Sequence, residues 1–124
     1  MAAKNFTDVI AWQSAYKLAI AIYRITENFP AHEQYGLTSQ IRRAAVSISS
    51  NIAEGFGRSG SKEKDQFYGI ARGSLVEVQN QLLIAKGVGY LSDVHYKQLE
   101  DLCTETIKVL SGLQKANKQK GGKK

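Results

Sequence analysis

Apolar residues return every three or four positions in four stretches of this chain, and only Pro30 interrupts as a proline. That spacing lines one side of an α-helix and does not fit the two-residue period of a strand. In the first stretch Ala11, Ala15, Leu18, Ile22, Ile25 and Phe29 share a stripe. They predict a helix over Asp8–Phe29, capped by Thr7 or Asp8 and stopped at Pro30. Trp12, Tyr16, Ala19 and Tyr23 add a second stripe beside the first. The apolar arc is wider than one bundle seam needs, so the helix either sits deep or meets another subunit.

Leu37, Ile41, Ala45, Ile48 and Ile52 predict a second helix over Thr38–Glu54, with Gly55 and Gly57 supplying the left-handed residue that ends it. A flexible turn, Gly57-Arg58-Ser59-Gly60-Ser61, follows. Phe67, Ala71, Ser74, Val78, Leu82 and Ala85, widened by Leu75, predict a third helix over Lys62–Lys86 behind an N-cap at Ser61. Gly69 and Gly73, one turn apart, are expected to let a neighbouring helix backbone come close. Tyr96, Leu99, Cys103, Thr106, Leu110 and Leu113 predict a fourth helix over Asp93–Ala116 behind Ser92.

Helices of this length span about 30 Å. Short connections force sequential neighbours to run antiparallel. The expected fold is therefore all-α: an antiparallel up-down-up-down four-helix bundle over residues 1–116, with a basic disordered tail at 117–124. The last ten residues carry much of the net charge of +6 through Lys115, Lys118, Lys120, Lys123 and Lys124, and the rest of the chain is close to neutral. Such an end either holds nucleic acid loosely through phosphates or simply aids solubility.

The single Cys103 has no partner for an internal disulfide, which fits a reducing, cytoplasmic setting. No apolar leader opens the sequence, and Leu18–Tyr23 is too short an apolar run to span a bilayer. No catalytic constellation is visible. His32 and His95 stand far apart, no Glu-x-x-His occurs, and the serines near Ser49 lack a nucleophile elbow. The glycines around Arg58 follow a helix instead of a strand and lack the Gly-Lys-Ser/Thr ending of a phosphate loop. We expect no enzyme, no metal and no cofactor.

Two sets of polar residues remain. Arg43, Ser47, Asn51 and Glu54 share a face of the second helix, and Glu77 is a possible partner for Arg43. They read either as a hydrogen-bonded structural network or as a site. Arg42, Arg58, Lys62, Lys64 and Arg72, with Lys115, Lys118 and Lys120 of the tail, are candidates for a basic, nucleic-acid-binding patch. Glu63 and Asp65, interleaved among them, would dilute its field. The dispersed tyrosines read as core-edge and interface residues rather than as stacking platforms.

The run from Tyr35 to Gly55, containing Gly36-Leu37-Thr38-Ser39-Gln40-Ile41-Arg42-Arg43 and Asn51-Ile52-Ala53-Glu54, is distinctive. Ile70-Ala71-Arg72-Gly73-Ser74-Leu75, Gln81-Leu82 and Gly89-Tyr90-Leu91 accompany it. Together these resemble the bacterial four-helix-bundle family of the 23S rRNA intervening-sequence protein. They are also similar to the accessory variability protein of diversity-generating retroelements. The resemblance covers the chain up to its tail and implies a ring-shaped homopentamer. For the retroelement relative it implies work with a reverse transcriptase and RNA through a basic surface. A ring would turn one modest patch into a continuous electropositive surface. A protein-interaction scaffold without nucleic-acid contact is the alternative.

Overall fold

The computed structural model describes residues 3–122. Its main elements are α1 (Ile10–Thr26), α2 (Leu37–Phe56), α3 (Ser61–Gly87) and α4 (Asp93–Gly122), with short 3-10 turns at Phe6–Asp8 and Ala31–Glu33. There is no strand among the described residues. Each helix packs on two others: α1 and α3 both touch α2 and α4, and occupy opposite corners. The predicted stripes meet in the middle. Leu18, Ile22, Ile41, Ile48, Ile52, Leu75, Leu82 and Leu110 are fully buried. Burying one such side chain stabilises the fold by about 1.5–3 kcal/mol, so the stripes carry the core.

Several boundaries differ from the sequence expectation, each for a local reason. α1 begins at Ile10 because Asn5, and neither Thr7 nor Asp8, caps the chain, and it caps the preceding 3-10 turn. The Asn5 side chain accepts from the Thr7 N–H at 3.0 Å, and Asp8 accepts from the Asn5 N–H at 3.1 Å. The helix ends at Thr26, and Phe29 is buried from the turn that follows.

α2 starts at Leu37 with help from a distant part of the chain. Glu33 accepts from the Leu37 N–H through one carboxylate oxygen at 3.1 Å and from the Tyr90 hydroxyl through the other at 2.8 Å. Gly55 does not end this helix. It lies inside it, where a Cβ would fall 2.6 Å from Cε1 of Tyr68. Gly57 is right-handed at φ −76°, and the left-handed glycine of the described chain is Gly89, at φ 87°.

On α3, Gly69 and Gly73 do not meet a neighbour. Both are exposed, with nothing within 4 Å of where a Cβ would stand. Ser61 does not cap α3 either, because its hydroxyl is committed to Asn117 across the seam. Ser92 behaves as expected and accepts from the His95 N–H at 3.1 Å.

The expected tail boundary at Ala116 also shifts. α4 continues to Gly122, and Asn117 is buried and bonded to Ser61. Residues 117–122 are therefore helical and in part packed; Lys123 and Lys124 lie outside the described residues.

Candidate nucleic-acid interface

The candidate cations do not form one cluster. At the end of the bundle where α3 begins and α4 finishes, a shallow hollow of about 410 Å³ is lined by Lys62, Asp65 and Lys118 together with Gly60, Ser61 and Gly121. Two features build it. The paired bonds between Ser61 and Asn117 hold the last turns of α4 against the first turn of α3. Gly121 then allows a close approach, since a Cβ there would fall 2.6 Å from the Ser61 hydroxyl.

Further along the α3–α4 seam, Arg72 donates to the Ser111 hydroxyl at 2.8 Å and to the Gln114 side-chain oxygen at 3.0 Å. Both partners are neutral, so the guanidinium charge is not cancelled. Lys115 lies between, one turn from Ser111 and from Lys118 on the same helix face. Lys62, Lys118, Lys115 and Arg72 thus follow one seam, with Asp65 as an acid beside it.

Lys64 and Lys120 sit around the corner, toward the end of α2. The Lys64 ammonium donates to the carbonyls of Phe56 at 2.7 Å and Gly55 at 3.2 Å, which caps that helix terminus. Burial, and then the nearby Lys120 charge, pull its pKa down from the ordinary lysine value. A cation here favours the negative end of the α2 dipole. Lys64 is a helix cap first.

Arg58 and Arg42 are committed to protein partners. Arg58 pairs with Glu54 at 3.1 Å and Glu63 at 3.4 Å and lies over the Phe67 ring. Arg42 is on the α1–α2 seam, where it donates to the Thr26 hydroxyl at 2.8 Å and the Tyr23 carbonyl at 3.3 Å, with its guanidinium over the Tyr23 ring. Spacing along one helix separates Arg42 from Arg43 but does not reveal that α1 ends opposite Arg42.

The expected polar network divides in the same way. Asn51 donates to the Ser47 carbonyl at 2.8 Å and lies 3.0 Å from its hydroxyl, and Ser74 reaches Ser47 from α3 at 2.8 Å. Glu54 turns instead to Arg58. Among the described residues no ion pair joins Arg43 to Glu77. The two line one cleft of about 460 Å³ between α2 and α3, with Tyr35 and Gln81. Gln81 is 9% exposed, and its side-chain oxygen is buried without a hydrogen-bond partner among the described residues. Such an orphaned group costs about 1–3 kcal/mol.

No group of three or more His, Cys, Asp or Glu stands close enough to hold a metal among the described residues, and no described helix is long and apolar enough to cross a membrane. Cys103 is fully buried, and burial pushes its thiol up to about 12.

No curated protein matches this chain. Among solved structures, a protein with unknown function from the S23 ribosomal protein family of Bacteroides thetaiotaomicron is similar, with a TM-score of 0.76 and 21% identity. The match covers 86% of this chain and 99% of that one, and at that identity it speaks for the fold alone. Residues 7–112 match the family described as 23S rRNA-intervening sequence protein. With that match spanning most of the helical core, the chain belongs to the family of 23S rRNA-intervening sequence proteins.

Proposed function

We propose that this protein is a non-catalytic, homo-oligomeric accessory protein that binds RNA or DNA through its basic α3–α4 seam. The observation that carries this reading is the row Lys62, Lys118, Lys115 and Arg72, in which Arg72 rests on neutral partners. Arg58 and Arg42, each held by protein groups, belong to the scaffold behind that surface. Lys64 and Lys120 extend the field around the bundle end. The family's link to 23S rRNA and its insertions supports the same partner class and a cytoplasmic location.

The helices run up-down-up-down in this reading. The paired bonds between Ser61 and Asn117 support antiparallel neighbours, since they join the first turn of α3 to the last turns of α4. Assembly as a ring, most simply a pentamer, is supported by two apolar faces on opposite corners. Tyr16 and Tyr23 are exposed on one face of α1, and Val76 and Leu83 on one face of α3. A head-to-tail contact between unlike faces closes into rings. Those same faces favour the second reading, a scaffold for another protein such as a reverse transcriptase.

Fluorescence titration of labelled RNA and DNA at two ionic strengths tests the first reading. Affinity should fall steeply with salt; no binding at low salt discards it. Capture of one protein partner that persists after nuclease treatment establishes the second.

A further inference from the structure

We infer that the cleft between α2 and α3 is a base-binding subsite that accepts an unpaired guanine. This rests on the nucleic-acid reading above and adds a source of sequence preference that a row of lysines cannot supply, because phosphate contacts carry no base information.

Arg43 lines the cleft from α2 and Glu77 lines it from α3. Neither is spent on an ion pair among the described residues. Gln81 also lines it, nine-tenths buried, with an oxygen that has no donor among the described residues. Tyr35 completes the lining and is 90% exposed. A volume of about 460 Å³ lies in the ordinary range for small-molecule sites. The Ser47 and Ser74 hydroxyls, bonded to each other, also line this groove.

The chemistry selects the base. A carboxylate only accepts and a guanidinium only donates. Guanine alone presents two adjacent donors, N1–H and N2–H, next to an acceptor, O6. Glu77 can take the donor pair while Arg43 takes O6 or N7. Adenine would bring its N1 lone pair against the carboxylate. Uracil would flank its one N–H with two carbonyls, and cytosine would offer one amino donor beside two acceptors. An exposed tyrosine ring is the usual platform for a base splayed out of a single strand.

The test uses the full chain and two labelled single-stranded octanucleotides: oligo-uridine, and the same strand with two central guanosines. The guanosine strand should bind about tenfold more tightly at equal salt, the size of one good paired contact. Glu77→Gln should bring the two strands to within about twofold while leaving oligo-uridine binding, thermal stability and assembly state unchanged. Equal affinity of the two strands, or a guanosine preference that survives Glu77→Gln, overturns the inference and leaves the basic seam in place. Binding of neither strand at low salt overturns the nucleic-acid reading along with it. A changed oligomeric state in Glu77→Gln gives the cleft to a second copy of the chain and also overturns the subsite.

Discussion

Ser61 and Asn117 hold each other across the α3–α4 seam: the Ser61 hydroxyl donates to the Asn117 carbonyl at 2.9 Å, and the Asn117 amide donates to the Ser61 carbonyl at 2.8 Å. The pair is part-buried and fixes the end of α4 against the start of α3. Asn117→Ala removes the bond to the Ser61 carbonyl and should cost about 0.5–1.5 kcal/mol, a fall of a few degrees in Tm by thermal denaturation. Truncation after Ala116 should lower Tm as well as nucleic-acid affinity. An unchanged Tm in both variants would mean the seam is open in solution.

Two glycine substitutions should act in opposite directions. A Cβ at Gly55 collides with the buried Tyr68 ring and comes within 3.0 Å of the Phe67 Cβ, so Gly55→Ala should destabilise by about 1–3 kcal/mol. Gly69 is exposed with open space around it, so Gly69→Ala should gain up to about 1 kcal/mol through helix propensity alone. Chemical denaturation reads both. If the α3 face meets a second copy, Gly69→Ala should also shift the oligomer distribution in native mass spectrometry.

Acid should loosen the start of α2. The Glu33 carboxyl is held below its ordinary value, first by the Leu37 N–H, then by the Tyr90 hydroxyl. A depressed folded-state pKa gives stability that is present above the unfolded value, near 4.3, and is lost as pH falls through the folded value. Glu33→Gln keeps a hydrogen-bond acceptor but cannot titrate. Its stability should change less than the native protein's between pH 6 and pH 3, measured by urea denaturation at each pH.

Cys103 should be inert until the bundle opens. Its thiol is fully buried and pushed up to about 12, so almost no thiolate exists at pH 8. Iodoacetamide at that pH should leave the native protein unmodified by intact mass and label it fully in denaturant. Prompt native labelling would contradict the packing around α4.

The two classes of cation should separate in a salt titration. Replacing Lys62 and Lys118 together with glutamine should flatten the log–log salt slope by about 1.4 on a single strand. Arg42→Gln should leave that slope alone and instead lower stability by about 1–2 kcal/mol, because it loses its bonds to Thr26 and the Tyr23 carbonyl.

Helix number, core stripes and loop positions were legible from residue spacing. Burial of Ile41, Ile48, Ile52, Val78, Leu82 and Leu110 follows directly from a 3.6-residue period. Phe67 was assigned to the α3 seam, whereas the ring that fills it is Tyr68, only 2% exposed, because Gly55 leaves room for it. Periodicity within one helix does not show a gap in the next.

What each charge does was decided by the tertiary structure. Composition alone offered a set of equivalent arginines and lysines. Packing bound Arg42 to the end of α1, Arg58 to two carboxylates and Lys64 to the last carbonyls of α2, while Arg72 was left on neutral partners. It also placed Arg43 and Glu77 in one cleft, with no ion pair to either among the described residues. The physical reason is range. Hydrophobic periodicity is local, since neighbours three and four residues apart define a helix face. A charge's availability depends on groups many positions away in the chain, which only folding brings within hydrogen-bond distance.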